Sequence, residues 1–69
     1  MDLVSKKIID LAYEINKAIK IQYGTEKNFC EKTKRHRGTF NVTLNNMKKG
    51  KGVNLKNILK ILEDLNLNL

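Results

Sequence analysis

The chain is poor in several residue types on which common folds and chemistries depend. Its 69 residues include one cysteine, one histidine, no proline and no tryptophan. A lone Cys30 excludes an intramolecular disulfide and any multi-cysteine zinc site, and a reducing, cytoplasmic compartment is the natural expectation. His36 and Cys30 alone make neither a metal site nor a catalytic nucleophile, base and orienting group, so the sequence predicts no metal, no cofactor and no enzyme. With two Phe and two Tyr, little is available for stacking on single-stranded bases; Tyr23 and Phe40 read as core residues. No apolar run approaches the length of a membrane span, and Lys6, Lys7 and Asp10 interrupt the N-terminal segment early. Gly50 and Gly52 flank Lys51 without the spacing or the Ser/Thr of a phosphate-binding loop. The absence of proline suits a bundle of helices.

A chain this short has room for one hydrophobic core, so residues 1–69 are expected to form one domain, with oligomerisation as the natural source of extra stability. Fourteen Lys and Arg stand against seven Asp and Glu, a formal charge of +7, which favours a polyanionic partner. The distribution is more informative than the total. Lys32, Lys34, Arg35, Arg37, Lys48, Lys49 and Lys51 lie in a stretch without Asp or Glu, whereas the flanking segments mix both signs. Both arginines of the chain fall there, beside His36, and a guanidinium fork grips phosphate or a guanine edge as an ammonium cannot.

Hydrophobic spacing marks four helices. Leu3, Ile8, Leu11, Ala12, Ile15, Ala18, Ile19 and Tyr23 recur at helical intervals, with Asp2 as N-cap and Gly24 as terminator. Thr25 caps a second helix that turns Phe29, Cys30 and Thr33 inward. The apolar-free segment from Lys34 to Gly38 reads as a turn. A third helix, from about Thr39 to Lys48, buries Phe40, Leu44 and Met47 and leaves Thr39, Asn41, Val42, Asn45 and Lys48 outside. A fourth starts after Asn54, with Val53 able to staple onto Ile58, and buries Leu55, Ile58, Leu59, Leu62 and Leu65. Ile61 is then surplus apolar surface, which points to a subunit contact. Leu65, Leu67 and Leu69 alternate with asparagines, the period of a strand, so this tail either frays or pairs with its copy in another subunit.

Two short helices joined by a tight, glycine-containing turn and buttressed by a further helix resemble the Xre/Cro-type helix-turn-helix family over residues 15–65. The matching residues are Thr25 to Cys30 at the start of the second helix, Leu44, Met47 and Gly50 around the third, and Asn54 to Leu65 in the fourth. From Phe29 to Leu44 the spacing is about one helical turn longer than the family pattern, and Glu26 and Lys27 stand where the family often has a phosphate-binding glutamine. Either an extended second helix or an enlarged basic loop takes up the difference. The resemblance implies an all-α, four- to five-helix, lambda-repressor-like domain with Leu65 to Leu69 as a short dimerisation strand. It further implies a transcriptional regulator, a repressor, that binds double-stranded DNA as a homodimer through Ile61, Leu65, Leu67 and Leu69.

In such a protein the third helix enters the major groove, and Thr39, Asn41, Val42 and Asn45 read base edges: asparagine bonds adenine bidentately, and a valine or threonine methyl meets the thymine methyl. Arg37 reaches a guanine. Thr25, Lys27, Lys34, Arg35, Lys48, Lys49 and Lys51 hold phosphates and set position. The tail also resembles HipB-type antitoxins, which would add a toxin as partner. A phage or mobile-element inhibitor using the same scaffold on an acidic protein, and non-specific nucleic-acid binding, remain open alternatives.

Overall fold

Four α-helices follow one another in a computed structural model that describes residues 2–52 and 54–67. They are α1 (Leu3–Gln22), α2 (Glu26–Lys32), α3 (Arg37–Lys48) and α4 (Leu55–Asp64). The described residues contain no strand. None of the helices is long and apolar enough to cross a membrane.

Each helix begins with a side chain that satisfies an otherwise orphaned backbone donor. Asp2 accepts from the Ser5 N–H at 2.7 Å, Thr25 from Asn28 at 3.2 Å, and Asn54 from Lys56 at 2.9 Å. The cap of α3 is His36, whose Nδ1 accepts the Thr39 N–H at 3.2 Å. The last three helices end alike: Lys34, Gly50 and Asn66 adopt left-handed backbone (φ 58°, 75° and 57°). The next N–H then reaches back five residues, from Arg35 to the Cys30 carbonyl, Lys51 to Asn46 and Leu67 to Leu62, at 2.8 to 2.9 Å. This is the Schellman closure, which returns bonds to carbonyls that the helix leaves unpaired.

The core gathers Ala12, Ile15, Ala18 and Ile19 of α1, Phe29 and Cys30 of α2, Phe40, Leu44 and Met47 of α3, and Ile58, Ile61, Leu62 and Leu65 at α4. Phe29 is its hub. It meets Tyr23 edge-on at 5.1 Å and Phe40 at 5.3 Å, separations at which aromatic pairs add to simple burial.

The fold departs from the sequence reading in three places. First, α3 starts at Arg37, not Thr39, so Gly38 lies inside its first turn. The turn between α2 and α3 shrinks to Thr33–His36. Second, α4 is rotated: Leu55 and Leu59 are 61% and 44% exposed, while Ile61 is 3% and Leu65 0% exposed. Ile61 and Leu65 therefore have no surface to offer a second subunit. The apolar ring of α4 is wider than one core contact requires, and periodicity alone could not say which edge faces in. Third, Leu65, Asn66 and Leu67 form the closure of α4 and not a strand, and Leu67 packs partly buried against the core. Leu69 and the Val53 staple lie outside the described residues.

Candidate nucleic-acid interface

Because Phe40, Leu44 and Met47 anchor α3 to the core, its opposite face is determined by the 100° helical step. Gly38, Val42, Asn45 and Lys49 run along the centre of that face, with Asn41 at its edge, about a quarter-turn away. All five are exposed, Val42 by 61%. Asn45 lies between Asn41 and Val42, about 40° from one and 60° from the other, so the three occupy one broad exposed arc. Arg37, exposed and without an ion-pair partner among the described residues, stands at the start of the same helix.

Thr39 lies on the other edge of this face. It lies about 160° around the helix from Asn41, on the flank toward α4, and its Oγ1 is 3.3 Å from His36 Nδ1. There it lines a shallow depression of about 200 Å³ with Arg35, His36, Thr43, Asn57 and Lys60. The His36 and Thr39 side chains are engaged in starting α3, and Thr39 is exposed on the opposite edge of the outer face from Asn41.

Arg35 is withdrawn from the surface. Its guanidinium lies 5.2 Å from the centre of the Phe29 ring and forms an ion pair with Asp64 at the end of α4, leaving the Arg35 side chain 18% exposed. The ion pair and the ring contact tie Arg35 into the framework and leave it less free to meet a phosphate than the exposed Arg37 and lysines. Its short distance from Arg37 in the sequence masked this difference.

The remaining cations bracket the exposed face. Lys34 is exposed ahead of α3, while Lys49 and Lys51 are exposed and Lys48 half-buried at its far end. The last group also complements the negative end of the α3 dipole, so a structural role and an anion-binding role coincide there. At the start of α2, Thr25 and Lys27 are exposed. The Thr25 oxygen accepts the Asn28 N–H and keeps its own hydrogen to donate. Lys60, on the α4 flank that faces the start of α3, was missed by sequence reasoning because it sits in a segment of mixed charge. Gly38 was missed as well, having been read as the end of a turn; its place opposite Phe40 and Leu44 becomes evident only once α3 is known to begin at Arg37.

The titratable groups nearby do not suggest covalent chemistry. Burial pushes the Cys30 thiol up, the Glu26 charge adds to the shift, and Arg35 and Arg37 oppose it. A thiol held protonated is a poor nucleophile. Among the described residues no group of three or more His, Cys, Asp or Glu is arranged to hold a metal ion.

Comparisons with protein-family models, with curated proteins and with solved structures returned no match.

Proposed function

We propose that this chain is a sequence-specific, double-stranded-DNA-binding regulator of the Xre/Cro helix-turn-helix type, with α2 and α3 as the helix-turn-helix pair and α3 in the major groove. The observation that carries the reading is the outer face of α3. Asn41, Asn45 and Val42 are exposed along one arc of the helix, in a stretch from Lys32 to Lys51 without one acidic residue. Base-reading side chains along such a face, with lysines at its ends for phosphates, are what major-groove binding demands. In this reading Arg37, Asn41, Val42 and Asn45 contact bases, and Thr25, Lys27, Lys34, Lys48, Lys49 and Lys51 contact the backbone. The protein acts as a cytoplasmic repressor that occupies its operator as a homodimer, on half-sites about 34–36 Å apart.

Nothing in the fold adds to the antitoxin alternative, since the tail that prompted it is, in its described part, the closure of α4. The test is selection of bound sequences from a random duplex library at physiological salt, with the stoichiometry measured on the recovered DNA. A palindromic motif carrying A·T pairs and bound by two chains is the expected result. Binding with steep salt dependence and no enriched motif would replace this reading with non-specific nucleic-acid binding. No binding at all would favour an inhibitor of an acidic protein.

A further inference from the structure

The dimer surface expected at Ile61 and Leu65 is buried, yet the chain leaves another apolar face uncovered. Val4, Ile8 and Leu11 of α1 and Leu55 and Ile58 of α4 line an open groove of about 620 Å³, rimmed by Lys7, Asp10 and Glu14. Two carboxylates at the rim make this an unsuitable surface for DNA. Leu55 and Leu59 stand on the opposite edge of α4 from Asn57 and Lys60, which border the start of α3. The groove and the candidate DNA face therefore lie on different flanks of the molecule.

The pattern on α1 identifies the occupant. Val4 and Leu11 are spaced by seven, and so are Lys7, Glu14 and the exposed Ile21, which places the two series side by side along α1, at the spacing of a helix-pairing seam. Lys7 and Glu14 are both exposed, and neither is ion-paired within the described residues. They are separated by two turns, about 10 Å, so they cannot pair with each other. Let a second α1 run antiparallel about a two-fold axis at Leu11. Leu11 then meets its own copy, and Lys7 meets the partner's Glu14, twice by symmetry. The charges, unsatisfied in one chain, are complementary to themselves in two. At 20 residues, about 30 Å, α1 nearly matches the 34 Å long axis of the molecule, so the seam is as long as the subunit allows.

We infer that the protein self-associates through this α1 face, as an antiparallel two-fold dimer locked by reciprocal Lys7–Glu14 pairs. The inference deepens the dimeric-regulator reading and rests on it for its biological purpose. Association is measured without DNA, so failure of self-pairing and failure of DNA binding are distinguishable.

The test is sedimentation equilibrium of the full chain from micromolar to near-millimolar concentration, with Lys7→Glu and Glu14→Lys studied singly and as a one-to-one mixture. Both positions are exposed, and far-UV circular dichroism checks that each variant folds. The native chain should dimerise with rising concentration. Each variant, now opposing like charges across the seam, should dimerise on the order of tenfold more weakly or worse. The mixture should recover dimer, because one chain then presents two acidic and the other two basic groups. A native chain that stays monomeric throughout would overturn the inference and assign the groove to another partner. So would variants that self-associate as well as the native protein, or a mixture no better than its components.

Discussion

His36 is an uncommon helix N-cap, a position that favours Asn, Asp, Ser and Thr, and its use here explains a neighbouring glycine. A Cβ on Gly38 would lie 3.0 Å from His36 Cε1 and 3.4 Å from Nδ1, so the ring occupies the space that an alanine would need. Replacing His36 with alanine should cost about 1 kcal/mol, and His36→Asp should retain the cap. Gly38→Ala alone should fail to deliver the gain of about 1 kcal/mol usual inside a helix. In a His36→Ser background that gain should return, and urea denaturation of the four proteins in a mutant cycle would reveal the coupling. Lys34 presents the converse case. A lysine at φ 58° carries a penalty of about 1–2 kcal/mol that glycine avoids, so Lys34→Gly should raise the urea midpoint. The same change removes a cation beside α3 and should weaken DNA binding. Stability and affinity moving in opposite directions would separate the two roles of one residue.

Helix α3 was largely legible from the sequence because one apolar stripe, Phe40, Leu44 and Met47, determines its inner face and hence its outer one. What could not be read was its start. A His-Arg-Gly sequence looks like a turn, and only the accepting nitrogen of His36 converts it into a cap. The tie between Arg35 and Asp64 could not be read either, because the two are distant in sequence. The edges of α4 were equally undetermined: Leu55, Leu59 and Ile61 are interchangeable by hydropathy, and tertiary packing chose Ile61. For α3 the expected outcome is that Asn41→Ala and Asn45→Ala each lower discrimination by about 1–3 kcal/mol at one base pair, while Lys49→Ala weakens all sequences alike. Competition binding against operator and random duplexes would show it, and equal losses on both from all three variants would refute the groove assignment. At α1, the Ser5 N–H holds the Asp2 carboxyl below its usual range. A depressed folded-state pKa means that the stabilisation is complete above the ordinary aspartate value, about 3.9, and is lost as pH falls through the folded one. Amide exchange at Ser5 should accelerate in that acidic window, and Asp2→Asn should abolish the acid step while keeping a cap.

For the molecule as a whole, the charge of +7 overstates the cations free to meet the proposed DNA partner, because Arg35 is held between Phe29 and Asp64. Arg35→Ala should lower stability by about 1 kcal/mol, the ion pair being partly exposed to solvent, and leave the salt dependence of DNA binding unchanged. Lys49→Ala should do the reverse, reducing the slope of log affinity against log salt by about 1. Denaturation curves and salt titrations on the two variants would check both statements. The Arg35 contact also joins the segment leading into α3 to the last turn of α4, so the pose of the exposed face is held from behind by the far end of the chain. Any ligand that competes for Asp64 thereby gains leverage over α3 without touching it, which makes the end of α4 a remote handle on whatever α3 binds.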